Sequence, residues 1–215
     1  MKKRLGVLVS GRGTNLQALI NAGKKKEYPA EVVVVISDNP NAYAITRAKK
    51  AQIPVYVVQR EEYKTKREYE EKIKEILISY RVDLVVLAGY MRIVGKVLLS
   101  AFPMKIINIH PSLLPSFPGL NAQKQALEYG VKFSGCTVHF VDEGIDTGPI
   151  IGQKVVPVYE YDTPESLAER ILKKEHKLLV EVIRRLFTEE YKLEGRRVIF
   201  IRKKEDEKNE GSCDR

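Results

Sequence analysis

The chain has no tryptophan, only two cysteines and only three histidines in 215 residues. Cys136 and Cys213 cannot build a disulfide framework, and no Cys/His spacing resembles a zinc site, so cohesion must come from a packed core. No metal site is expected. No segment approaches the ~20 apolar residues that a membrane span requires. The opening "MKKRLGVLVSGRG" begins with basic residues, but Ser10-Gly11 interrupts its apolar run within a few positions. That pattern marks a first strand and not a signal peptide, which points to a soluble, cytoplasmic protein.

Hydrophobic residues make up 44% of the sequence, enough to fill the core of one α/β domain or at most two small ones. The net charge of +9, from 37 Lys+Arg against 28 Asp+Glu, favours anionic partners. The basic residues are interleaved with glutamate, as in "KKKE" and "REEYKTKREYEEKIKE". Mixed signs of that kind indicate solvated helix faces and not a nucleic-acid groove.

Short β-branched runs at 4–10, 31–37, 54–58, 83–89 and 105–110 read as strands. They are apolar throughout and do not alternate, as expected of strands covered on both faces in a parallel sheet. Helical patterns fall between them at 14–23, 41–51 and 61–80. Strands at 134–141 and 149–158, paired around a Gly-rich loop, precede a long helix at 164–187. The expected fold is therefore a doubly wound, mostly parallel α/β sheet with helices on both faces and partly antiparallel C-terminal strands. One domain is expected over 1–204, with an N-terminal nucleotide-binding half to about 105 and a catalytic half from about 106. The polar residues 205–215 read as a disordered tail.

Four segments could carry chemistry, and in this architecture ligands bind beyond the carboxyl ends of the strands. In "SGRGTN" (10–15), Gly11 and Gly13 let the backbone turn sharply, and the following helix N-terminus offers free N–H groups. The dinucleotide fingerprint is broken by Leu16, so a phosphate site and a purely structural turn both remain open. In "AGYMRIVG" (88–95), Met91, Ile93 and Val94 could line an apolar slot, with Arg92 projecting a charge; a loop packed back onto the core is the alternative. In "INIHPSLLPSFPG" (107–119), Asn108 and His110 share one face of a strand end, and Pro111, Pro115 and Pro118 stiffen the loop beyond. His110 could exchange protons near neutral pH or simply bond a backbone carbonyl. In "VDEGIDTGPII" (141–151) three acids are framed by glycines, without the spacing of a calcium loop. Asp146 is the one placed to orient a histidine and raise its pKa. On the last helix Glu175 interrupts an apolar stripe of Ile171, Leu178, Leu179, Val182 and Leu186, so it needs a cation, a hydroxyl-bearing ligand or a wet pocket. His176 is read as structural.

Taken together, "SGRGTNLQAL", "DLVVLAGYMRI", "INIHPSLLPSFPGLNAQKQAL", "GCTVHFVDEGIDTGPII" and "KEH" resemble the phosphoribosylglycinamide formyltransferase family over roughly residues 4–190. The resemblance implies a formyl transfer from 10-formyltetrahydrofolate to a glycinamide ribonucleotide in purine synthesis, by a monomer or homodimer acting on small molecules. It implies a catalytic trio of Asn108, His110 and Asp146. It also implies a phosphate cradle of Gly13, Thr14 and Asn15, with Glu175 accepting ribose hydroxyls. The folate site would comprise Arg67, Met91, Arg92, Ile93, Val94, Asn108, His139, Val141 and Asp146. Asn121 and Gln123 stand where histidines are common in this family.

Overall fold

The computed structural model describes residues 1–201. The expected tail at 205–215 lies outside them. The chain alternates β1 (Lys3–Val9), α1 (Thr14–Gly23), β2 (Ala30–Ser37), α2 (Tyr43–Lys50), β3 (Val55–Val57), α3 (Lys66–Ser79), β4 (Leu84–Leu87), α4 (Lys96–Ala101) and β5 (Ile106–His110). It continues through α5 (Ala122–Tyr129), β6 (Phe133–Phe140), β7 (Ile150–Pro157), α6 (Pro164–Thr188), β8 (Tyr191–Glu194) and β9 (Arg197–Phe200).

The nine strands of the described residues join one sheet in the order β3-β2-β1-β4-β5-β6-β7-β9-β8. The first five run parallel, whereas β6 is antiparallel to both β5 and β7. Alternate residues of β1 explain the double burial. Leu5, Val7 and Val9 pack with Leu16 and Leu19 of α1 and Leu167 and Ile171 of α6. Leu8 points the other way, into a core built with Ile73 and Leu77 of α3 and Leu98 of α4. Each such fully buried aliphatic side chain is worth ~1.5–3 kcal/mol relative to exposure.

The helix expected over 61–80 is divided. Arg60–Glu62 form a single 3-10 turn, and the α-helix begins only at Lys66. Thr65 explains the late start, because its hydroxyl accepts from the Glu68 N–H while the Glu68 carboxylate accepts from the Thr65 N–H. Four elements were not anticipated: α4, α5 and the hairpin β8–β9. Helices of six and eight residues and strands of four are too short to show a full period.

Strand order reverses between β1 and β4, and the loops leaving these two strands meet there. The Ser10 N–H donates to the Gly89 carbonyl at 3.1 Å, and the Met91 N–H donates to the Ser10 hydroxyl at 2.9 Å. A cleft opens at that switch point.

Candidate active site

The cleft has a volume of about 900 Å³ and is walled by the loops after β1, β4, β5 and β6 together with α6. That is room for small-molecule substrates. Asp146 stands at the centre of its polar cluster. One carboxylate oxygen, Oδ2, accepts from the Gly119 N–H at 2.8 Å and lies 3.2 Å from His110 Nδ1. The other, Oδ1, accepts from Asn108 Nδ2 at 3.3 Å and lies 3.5 Å from His139 Nε2. The trio read from the sequence is thus brought together, with His139 as a fourth member.

Local sequence explains the placement. Asn108 and His110 sit two apart on β5, so both project from one face. Asp146 has φ of +54°, an uncommon conformation for a residue with a side chain, which Asp tolerates better than most. The loop around it is tied by Asp142, whose Oδ1 accepts from the Gly144 N–H at 3.1 Å and from the Thr147 hydroxyl at 2.6 Å. Gly148 is obligatory here, since a Cβ would sit 1.8 Å from the Phe140 carbonyl oxygen. The proline loop owes its stiffness to more than its rings. Thr137 donates to the Ser112 carbonyl at 2.7 Å, and Gln153 donates to the Leu114 carbonyl at 2.9 Å, which sews the loop to β6 and β7.

Asp146 lifts the His110 pKa as expected, but that lift does not set the net direction. Burial pushes the imidazole below its ordinary value, outweighing the lift from the Phe117 carbonyl and Asp146. Burial works to raise Asp146, but the bonds from His139 and Gly119, with the histidine charges, hold its carboxyl below the usual range. Near neutral pH the pair is therefore an ionised aspartate beside a neutral histidine. His110 Nε2 lies 2.9 Å from the Phe117 carbonyl oxygen, so both ring nitrogens face acceptors. A neutral ring satisfies one of them and an imidazolium satisfies both, so the site is built to receive a proton. The Asn108 amide is engaged in the same way, with Nδ2 at 3.3 Å from both Asp146 Oδ1 and His139 Nε2.

At the other end of the cleft, Gly13 caps α1 with φ of +68°, and no side chain caps the helix, so its first N–H groups face the cavity wall. A Cβ on Gly13 would lie 2.6 Å from the Ala44 Cβ. Asn15 donates from Nδ2 to Glu175 Oε2 at 2.7 Å, while its own Oδ1 is buried without a hydrogen-bond partner among the described residues. Burial pushes the Glu175 carboxyl above its ordinary range, against the bond from Asn15 and the charge of Arg12. A buried amide oxygen and a desolvated carboxylate are acceptors fit for ligand hydroxyls.

The apolar loop after β4 divides. Met91 and Ile93 are exposed at the mouth, whereas Val94 is 5% exposed and belongs to the core. Arg92 lines the cleft, but its guanidinium is engaged by Asp38 Oδ2 at 2.7 Å and Glu61 Oε1 at 2.9 Å, so it braces the loop. Val141 and His139 line the cavity, as do Asn121 and Gln123 at the start of α5. Arg67 is exposed on α3 and does not belong to the cavity wall. Sequence reading missed the backbone partners Phe117 and Gly119, which carry no side-chain signal for such a role. Among the described residues no group of three or more His, Cys, Asp or Glu side chains is placed to hold a metal ion, and no helix is long and apolar enough to cross a membrane.

The cleft at the carboxyl edge of the parallel strands, with its Asn–His–Asp cluster, marks an α/β protein with a polar ligand site at the switch point of its sheet. The chain belongs to the formyl transferase family, whose sequence profile matches residues 3–183. It is 46% identical over 184 residues to phosphoribosylglycinamide formyltransferase of Bacillus subtilis, covering 86% of this chain and 94% of that protein. The crystal structure of glycinamide ribonucleotide transformylase 1 from Symbiobacterium toebii superposes with a TM-score of 0.91 at 50% identity, covering 94% of this chain and 95% of that one. The trifunctional purine biosynthetic protein adenosine-3 of Chironomus tentans is 48% identical over 177 residues, but the chain spans only 13% of its length.

Proposed function

We propose that this enzyme transfers the formyl group of 10-formyltetrahydrofolate to the amine of 5-phosphoribosylglycinamide. The products are formylglycinamide ribonucleotide and tetrahydrofolate, a step of de novo purine biosynthesis in the cytoplasm. The observation that carries this reading is that one cleft holds the Asp146–His110 pair, 3.2 Å apart, together with the α1 N-terminus at Gly13–Asn15 and the Glu175 carboxyl. The likeness to the Bacillus and Symbiobacterium proteins supports the choice of substrates.

Gly13, Thr14 and Asn15 hold the phosphate against the α1 N-terminus, and Glu175 accepts the ribose hydroxyls. Met91, Ile93, His139 and Val141 form the walls for the folate rings, with Arg92 and Val94 fixing their loop. As the amine attacks the formyl carbon, Asn108 donates to the oxygen that becomes negative; one such donor is typically worth ~10²–10³ in turnover. His110 takes the proton lost by the amine and is steadied as an imidazolium by Asp146 and the Phe117 carbonyl. When the bond from the formyl carbon to the folate nitrogen breaks, that nitrogen receives a proton, and the site returns to its starting charge. The reading asks for two small-molecule substrates and for neither nucleic acid nor a membrane, with residues 1–204 acting as a single domain.

The test is a paired assay of formyl loss from 10-formyltetrahydrofolate with and without glycinamide ribonucleotide. Loss that depends on the ribonucleotide is expected. Equal release in its absence would make the protein a hydrolase and overturn the proposal.

A further inference from the structure

The hairpin β8–β9 lies beyond residues 3–183, the stretch matched by the family profile. Glu194 pairs with Arg197, which leaves Gly195 and Arg196 as a two-residue turn with Gly195 at φ of +59°. A glycine of positive φ at the first turn position suits the twist of a hairpin. Arg185 of α6 lies over the Phe200 ring, 3.7 Å from its centroid, and fastens the hairpin to the body of the molecule.

Three contacts run from this hairpin to the loop that carries Asp146. Tyr191 stacks on Phe140, the last residue of β6, with ring centroids 6.1 Å apart. Arg197 pairs with Ile150, the first residue of β7. Between those two ends, the Arg196 guanidinium donates to the carbonyl oxygen of Thr147, the residue after Asp146. Thr147 is thus held from inside the loop by its hydroxyl on Asp142 and from outside by its carbonyl on Arg196. Asp146 needs such restraint. Its positive φ persists only where neighbours fix it, and its two oxygens must meet four partners at once.

We propose that the hairpin is a clamp on the Asp146 loop and that Arg196 is a positioning residue for the formyl transfer. The proposal rests on the catalytic role given to Asp146 above. Arg196 touches no reacting atom; it acts by holding the Thr147 peptide and, through it, the aim of the Asp146 carboxylate at His110 and Asn108. Site geometry loosened by a fraction of an ångström is enough to lower turnover.

The experiment compares full-length wild type, Arg196→Met and Arg196→Lys. Amide hydrogen exchange across 143–148 is read alongside kcat, both KM values and the melting temperature. Removing one charge-assisted bond is expected to speed exchange in this loop and to lower kcat, each about fivefold. The KM for the ribonucleotide should hold within about twofold, since its phosphate sits at the far end of the cleft. Because Arg196 is exposed, the melting temperature should move by no more than about 2 °C. Arg196→Lys should recover much of both the exchange protection and the turnover. Unchanged exchange and unchanged kcat in Arg196→Met would overturn the clamp, and so would a uniform loss of stability across the molecule. Wild type that fails to transfer formyl would refute the functional reading alone, because the exchange comparison tests the clamp without any substrate.

Discussion

Asp146→Asn isolates the charge at the centre of the site with little disturbance of shape. The asparagine oxygen can take the Oδ2 position and keep the bond from the Gly119 N–H, now 2.8 Å long. Its amide then takes the Oδ1 position, 3.5 Å from His139 Nε2, and the bond that Asn108 Nδ2 gives to Oδ1 at 3.3 Å is lost. Also lost is the negative charge 3.2 Å from His110. Both side chains are shielded, at 5% and 12% exposure, so an effective dielectric of about 20 applies and the attraction to an imidazolium is about 5 kcal/mol. A proton half transferred in the transition state realises about half of that, which lowers kcat about 10²-fold. The assay is kcat measured from about pH 5 to about pH 9. In wild type the acid limb should lie below the ordinary histidine value, because burial lowers the folded pKa and the neutral base persists to lower pH. In the variant the lift from Asp146 is gone, so the limb should move further toward acid while the plateau falls. A plateau within about threefold of wild type, or a limb shifted toward alkaline pH, would refute the reasoning.

Two further substitutions test the other end of the cleft. Glu175 has its folded pKa raised by burial, so the stability it contributes is present below its unfolded value and is lost as pH rises through the folded one. Glu175→Gln should therefore raise the melting temperature near pH 8 by about 3 °C, or about 1 kcal/mol, while raising the ribonucleotide KM about tenfold. A lower melting temperature at that pH would contradict the assignment. Gly13→Ala sets a methyl 2.6 Å from the Ala44 Cβ at a φ of +68°. It should cost about 2–4 kcal/mol and weaken ribonucleotide binding far more than folate binding, as read by thermal melts and the two KM values. Wild-type behaviour in both would show that the α1 cap is not the phosphate cradle.

Much of this protein is legible along the chain, because the signals involved are local. Strands apolar on both faces require helices on both sides, and the order strand–helix–strand then requires a parallel sheet with its ligands at the carboxyl ends. Two polar residues spaced two apart at the end of β5, and one carboxylate out of place on the stripe of α6, stand out as candidates from spacing alone, and the family resemblance is what gives them roles. The tertiary structure decided matters that depend on distant partners. Arg92, free in the sequence, is spent on Asp38 and Glu61, 54 and 31 residues away. The charge state of the His110–Asp146 pair turns on burial and on the Phe117 and Gly119 backbone groups, to which the side-chain sequence gives no clue. The hairpin at Tyr191–Phe200 was too short to show periodicity, and its hold on the Thr147 carbonyl exists only once folding has brought together residues 49 positions apart. Residue type and spacing determine which chemistry the chain can perform; the long-range packing decides which proton is where, and what keeps the carboxylate aimed.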